Sequence, residues 1–225
     1  MLSGYKMSAK GDTGEIMLYE DIGEGWFGGI SSKTFAKDLR ALDKVKTLNI
    51  RINSPGGDVF DGKAIHSLLS AHAARKIIHV DGLAASIASI IAMAGDEIRI
   101  SDGAMIMIHP AWGMSVGDAV EMRKYADLLE TISLQMRDIY AKRTGRDSKK
   151  IWELMQAETW MTAAEAVNLG FADVITEPLR MAASIKDIHR FKNVPKAMTP
   201  VKDRSLYNAA RSKIEAVMKN SRKTA

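Results

Sequence analysis

Short runs of apolar residues alternate along this chain with longer stretches whose apolar positions recur at helical spacing. The strand-like runs fall at 14–19, 47–53, 76–80, 96–100, 104–109 and 171–175. In 47–53 the alternation is clean, with Leu48, Ile50 and Ile52 on one face. Between these runs the pattern predicts helices over 33–42, 59–75, 87–94, 118–144, 148–157 and 162–169. Phe35, Leu39 and Leu42 share one face of the first, and Ile65, Leu68 and Leu69 point inward from the second. Ser31 or Ser32 can cap the first helix, while Gly95, Gly145 and Gly170 stand where three later helices should stop. Strand, helix, strand in repeated succession predicts an α/β domain assembled from βαβ units.

The pattern weakens at both ends. Residues 1–13 are polar and read as a mobile lead, and 21–29 is a glycine-rich turn holding Trp26 and Phe27. Beyond Pro178 the periodicity fades, Pro195 and Pro200 bracket a linker-like stretch, and 205–219 could form an amphipathic helix. The expected organisation is thus a lead over 1–13, a domain over 14–178, and an extension over 179–225.

Charge sharpens this division. Residues 180–225 hold 12 Lys/Arg against 3 Asp/Glu, a net of +9, so the total of +5 leaves −4 on residues 1–179. The basic balance belongs to the extension, which could bind nucleic acid or acidic protein surfaces or be a plain solvated tail, and which is expected to be dispensable for cleaving short peptides. With no aromatic stacking platform beside the charge, a nucleic-acid partner is not indicated. The chain has no cysteine, which excludes disulfides, thiol catalysis and Cys-ligated metal, and suits a reducing compartment. No apolar run reaches membrane-spanning length, and the first residues do not form a signal peptide.

Candidate chemistry centres on Gly82-Leu-Ala-Ala-Ser86-Ile-Ala-Ser89. A serine at a strand-to-helix turn among small residues exposes its hydroxyl, and the helix start offers unpaired amides to a developing negative charge. The same segment could be a plain crossover with Ser86 as a cap. A serine nucleophile needs a base. Of the five histidines, His66 and His72 lie on the predicted helix over 59–75, with His72 expected to be exposed. His79 precedes the serine turn, His189 lies in the tail, and His109 ends a buried strand just before Pro110. Sites form at the C-terminal ends of strands in open α/β sheets, which singles out His109. Pro55-Gly56-Gly57 ends another strand, and the N–H of Gly56 or Gly57 with that of Ile87 could form an oxyanion hole. A type II turn alone would explain the Pro-Gly.

Four motifs, Ile52-Asn-Ser-Pro-Gly-Gly57, Gly82-Leu-Ala-Ala-Ser86, Met107-Ile-His-Pro110 and Trp160-Met-Thr-Ala-Ala-Glu-Ala166 followed by Gly170-Phe-Ala-Asp173, resemble the ClpP peptidase family in order and spacing. The resemblance runs from about residue 15 to 175. It implies an α/β fold of the ClpP/crotonase ββα-superhelix type, with a handle over about 118–157 that joins two rings face to face. It implies a serine endopeptidase with Ser86 as nucleophile, His109 as general base, Glu158 as the acid, and backbone amides of Gly56 and Ile87 as oxyanion donors. Neither cofactor nor metal is implied. Glu158 stands where cellular members have an aspartate; Asp173 fits better as a polar group of the last strand.

Trp26-Phe-Gly-Gly and Gly57-Asp-Val-Phe-Asp-Gly62 look similar to the phage-encoded head maturation proteases of this family. The family resemblance implies a homo-oligomer of heptameric rings in the bacterial or phage-infected host cytoplasm, and the phage-like motifs imply action on capsid or scaffold proteins. Cellular members have a longer lead that helps dock an ATPase unfoldase, so such a partner is not expected here. Other readings are an ATP-dependent Clp proteolytic subunit, a crotonase-type acyl-CoA enzyme and an inactive assembly module.

Overall fold

The alternating runs become strands whose buried residues meet helices on one side of a sheet. The computed structural model describes residues 4–24, 29–178 and 191–195. Its strands are β1 (Tyr5–Lys10), β2 (Thr13–Leu18), β3 (Thr47–Ser54), β4 (Arg75–Ala85), β5 (Glu97–Ser101), β6 (Met105–Ile108), β7 (Thr159–Thr162) and β8 (Val174–Thr176). The main path of the sheet is β1-β2-β3-β4-β5-β8, with β6 pairing β4 and β7. The β2–β3, β3–β4, β4–β5, β4–β6 and β5–β8 pairs are parallel, whereas β1–β2 and β6–β7 are antiparallel. The helices are α1 (Ser32–Leu39), α2 (Val59–Ala71), α3 (Ile87–Ala92), α4 (Ala119–Thr144), α5 (Ser148–Gln156) and α6 (Ala163–Leu169), with a 3₁₀ turn at Arg40–Leu42 after α1.

The core lies where these faces meet. Ile16, Leu18, Leu48, Ile50, Ile52, Ile78, Val80, Ile98 and Ile100 are fully buried on one face of the sheet. Phe35, Ile65 and Leu69 pack into the same cluster from α1 and α2. Ser31 caps α1 by accepting from the Thr34 amide, and Asp58 caps α2 through the Asp61 amide. A capping box of Asp118 and Glu121 starts α4, and Gly145 ends it at φ +66. At 26 residues α4 is roughly 39 Å long. Ile132, Met136 and Tyr140 bury its C-terminal half, while Val120, Met122 and Leu128 of its first half stay exposed.

Several expectations are corrected. Tyr5–Lys10 is not a mobile lead but a strand in register with β2, from Tyr5↔Leu18 to Lys10↔Thr13. Four of its six residues are exposed and only Tyr5 and Met7 pack against the core, so the strand left little apolar signature. The strand predicted over 76–80 continues through Asp81-Gly82 to Ala85. The helix predicted over 59–75 stops at Ala71, because the chain turns back into β4 at Arg75. His72, expected to be exposed, has a largely covered side chain whose Nδ1 accepts from the Ala74 amide at 3.1 Å. β7 has no counterpart among the predicted strands.

The domain edge also moves. One compact unit runs from Met1 to Asn193, past the expected limit at 178, and Phe191 is buried within it. The second unit, Val194–Ala225, falls almost wholly outside the described residues, as do Trp26, Phe27, His189 and the helix expected over 205–219.

Candidate active site

Two strands bring the serine and the histidine together. β4 pairs with β5 as far as Val80↔Ile100, then leaves it and pairs with β6 from Leu83↔Met105 to Ala85↔Met107. The Ser86 amide extends that ladder by donating to the Met107 carbonyl at 2.9 Å. β6 ends one residue later, and His109 follows before Pro110. The imidazole Nε2 lies 2.7 Å from Ser86 Oγ. With the ring proton on Nδ1, Nε2 accepts the serine proton, which is the arrangement a general base needs.

Ser86 sits at φ +55 and ψ −128, a region that disfavours side chains, immediately before α3. Such strain is of order 1–3 kcal/mol and lifts the hydroxyl out of the turn. The surroundings hold it there. Ser89 Oγ donates to the Ser86 carbonyl at 2.6 Å and lies 2.7 Å from the Tyr140 hydroxyl of α4. Ser89 and Tyr140 are both fully buried, which removes Ser89 as a rival nucleophile. Burial pushes the Tyr140 phenol far above its ordinary value, with the Ser89 bond opposing, so the hydroxyl keeps its proton.

The glycine pair lies against this turn. A Cβ on Gly56, at φ +90, would stand 2.7 Å from the Ala85 carbonyl, 2.9 Å from Ser86 Cβ and 3.1 Å from the Ile87 amide nitrogen. Only glycine permits both that dihedral and that approach. The Gly56 amide itself, however, donates to Ser54 Oγ at 3.2 Å. This corrects the expectation that Gly56 presents its N–H to an oxyanion. Gly57 is bridged to Ile22, with the Gly56 carbonyl and Asp58 amide bonding Ile22. In such a bridge the central residue's own amide points away from its partner, here away from Ile22. Ile87 N–H is the first amide of α3 and has no intrahelical partner.

Glu158 is buried, 8% exposed, and adopts φ +48. It stands one step beyond the last β6–β7 pair, Ile108↔Thr159, and so opposite His109 in the continued register. Its carboxylate is not hydrogen-bonded to the imidazole among the described residues. Instead it accepts from the Asn193 amide at 2.6 Å, the Lys192 amide at 3.1 Å and the Trp160 indole at 3.4 Å. Phe191 packs edge-on against both His109 and Trp160, with ring centroids 5.8 and 5.4 Å apart. No pattern in the sequence points to these contacts, because Phe191–Asn193 lies beyond the apparent end of the domain. Asp173, one residue before β8, accepts from the Ile98 amide of β5 and from the Arg143 guanidinium of α4.

The forked, mostly parallel sheet with helices packed on it defines an α/β protein, with a strained serine beside a buried histidine at the end of β4. Comparison with known proteins narrows this. The Clp protease family model matches residues 9–178, and the chain belongs to that family of peptidases. The ATP-dependent Clp protease proteolytic subunits of Bacteroides fragilis and Bacteroides thetaiotaomicron are each 30% identical over 139 residues. Those matches take in 61% of this chain and, respectively, 67% and 63% of the relatives. A single-residue mutant of ClpP1 from Listeria monocytogenes superposes with a TM-score of 0.64 at 22% identity, covering 74% of this chain and 91% of that one. The fold is therefore the ClpP type.

Proposed function

We propose that this chain is a serine endopeptidase in which Ser86 attacks the peptide carbonyl. His109 takes the hydroxyl proton as the Oγ–C bond forms and returns it to the departing amine when the C–N bond breaks. Water then hydrolyses the acyl-enzyme by the reverse proton path. The amides of Ile87 and Gly57 receive the oxyanion, the latter in place of Gly56 because the Gly56 N–H is engaged by Ser54 while that of Gly57 is turned away from Ile22. Glu158, across the strand pair from His109, supplies the negative field that favours the imidazolium. The observation that carries this reading is the 2.7 Å contact between His109 Nε2 and the hydroxyl of a serine held at φ +55.

The test is a fluorophosphonate probe on the assembled protein. Labelling is expected on Ser86, absent in Ser86→Ala, and slowed by more than about a thousandfold in His109→Ala. Modification elsewhere, or undiminished labelling of His109→Ala, refutes the assignment.

Self-association into face-to-face rings is supported by the exposed apolar side chains of Trp112, Met114, Val116, Val120, Met122 and Leu128, running onto the first half of α4. Within the family we assign the chain to maturation of virus heads, cutting capsid or scaffold proteins, on the resemblance of its Trp26-Phe-Gly-Gly and Gly57-to-Gly62 motifs. A second reading, the proteolytic partner of an ATP-dependent unfoldase, is favoured by the names of the Bacteroides relatives. Stimulation of protein degradation by a bacterial Clp unfoldase with ATP would decide for it; cleavage of co-expressed capsid protein without ATP would decide against it.

A further inference from the structure

A short segment that follows the family-matched region reaches back onto the catalytic pair. The Clp protease match ends at residue 178, yet Phe191 is 6% exposed and lies edge-on to the His109 ring at an interplanar angle of 77°. The next two residues grip the neighbouring carboxylate through their backbone, Lys192 N–H to Glu158 Oε2 and Asn193 N–H to Oε1. The Asn193 side chain adds a bond from Nδ2 to the Ala157 carbonyl at 2.8 Å. Trp160 closes the arrangement, stacking edge-on with Phe191 while its indole N–H faces Glu158. Ring, amides and carboxylate thus form one connected unit behind the histidine. Ser86, on the other side of the imidazole, remains half-exposed, so substrate can reach the nucleophile with the segment in place.

We propose that Phe191–Asn193 is a positioning clamp for the Ser86–His109 pair: Phe191 fixes the imidazole plane, and Glu158 is the anchor that the clamp holds. The proposal rests on the peptidase reading above. An imidazole on a strand end can rotate about its side-chain torsions, and only one setting aims Nε2 at Ser86 Oγ. An edge-on aromatic neighbour selects that setting, and a carboxylate fixed by two amides keeps the neighbour's backbone from drifting. Buried Glu158 then has its lone pairs satisfied by the clamp, which explains why a carboxylate sits there at φ +48 without bonding the imidazole. Because the clamp is already compatible with the 2.7 Å Ser–His contact, it serves the reactive arrangement and does not block it.

The test uses the full-length assembled protein, with fluorophosphonate labelling rate and steady-state cleavage of a short fluorogenic peptide as readouts. Phe191→Ala is expected to slow labelling and lower kcat by roughly three- to tenfold, the range of an aromatic pair contact, with KM unchanged. Phe191→Leu, which keeps apolar volume and spares folding, should show a loss of the same kind, and Phe191→Tyr should restore the rate to within about twofold. A wild-type protein that takes no label overturns the Ser86–His109 reading and the clamp with it. A labelled wild type whose Phe191→Ala and Phe191→Leu variants react as fast overturns the clamp alone. Variants that react faster also overturn it, because the segment would then be a brake.

Discussion

The buried hydroxyl pair beneath the elbow should be energetically coupled, and a double-mutant cycle can measure it. Ser89 has one hydroxyl proton, and the Ser86 carbonyl can only accept, so that proton goes to the carbonyl at 2.6 Å. The Tyr140 hydroxyl must therefore donate to Ser89 Oγ at 2.7 Å. Both side chains are 0% exposed, so water cannot replace a lost partner. Tyr140→Phe removes one donor and should cost about 1 kcal/mol, the net value of a neutral hydrogen bond. Ser89→Ala does more harm, since it leaves the phenol buried and unsatisfied, at about 1–3 kcal/mol. In the double variant no hydroxyl is left over, and the Ser86 carbonyl still accepts from the residue 89 amide, as it does now at 3.0 Å. The second substitution should then be nearly neutral, giving a coupling of about 1–2 kcal/mol. Urea denaturation at fixed protomer concentration reads the stability, and the fluorophosphonate rate reports whether the elbow has relaxed. Additivity within about 0.5 kcal/mol would refute the relay.

Two further outcomes follow from the same geometry. Gly56→Ala and Gly103→Ala introduce a side chain at nearly the same dihedral, φ +90 and +85, but only Gly56 is crowded, with backbone at 2.7 Å against nothing within 4 Å; Gly103→Ala should cost about 1–2 kcal/mol and keep activity, while Gly56→Ala should displace the elbow and abolish labelling. His66 and His79 are held below the ordinary imidazole value, chiefly by burial, then by Lys142 at His66 and by Arg51 at His79. The unfolded chain therefore binds protons near pH 6.5 that the native one refuses, so their stabilising effect is complete above that pH and is lost as pH falls through the lower native values. The urea midpoint should drop between pH 7.5 and 5.5, and His66→Gln with His79→Gln should flatten the drop.

Much of this fold is legible where a residue's neighbours lie close in sequence. The alternation of Leu48, Ile50 and Ile52 yields β3, and Gly145 and Gly170 stop α4 and α6 at positive φ. What escaped depends on distant partners. β1 is a short, mostly exposed strand in which only Tyr5 and Met7 reach the core, and its place is set by pairing with β2. β7 is four residues of Thr-Trp-Met-Thr whose ladder partner is β6, more than fifty positions earlier. Within the site, Ser86 and His109 stand out because each ends a buried strand. The engagement of Glu158 is hidden, since its two amide donors come from 34 and 35 residues further on, past a stretch where periodicity has ceased. The expected domain limit at 178 leaves out Phe191, which packs against His109.

The fork in β4 is what lets a serine and a histidine from separate βαβ units share a hydrogen bond. Pairing with β5 ends at Val80 and pairing with β6 begins at Leu83, leaving Asp81-Gly82 as the point of exchange. A strand at such a point is prone to slip, and a slip of one residue would turn Ser86 to the wrong face. Asp81 supplies the pin. Its Oδ1 accepts from Arg51 of β3 at 2.7 Å, and its Oδ2 from the Tyr19 hydroxyl, whose pKa is pushed up to about 12 by burial and the carboxylate. The Asp81 side chain is almost wholly covered, so both partners reach it in a poorly solvated setting where each bond is strong. Polar groups on the face remote from the core thus fix the register of the strand, and the register sets the distance between Ser86 Oγ and His109 Nε2. On this argument Asp81→Ala acts at long range: the fork loosens, the Ser86 amide loses its hold on the Met107 carbonyl, and labelling of Ser86 falls by more than about tenfold, as expected when one partner of a covered ion pair is removed. Unchanged labelling in a folded Asp81→Ala protein would show that the β4–β6 ladder holds the elbow unaided.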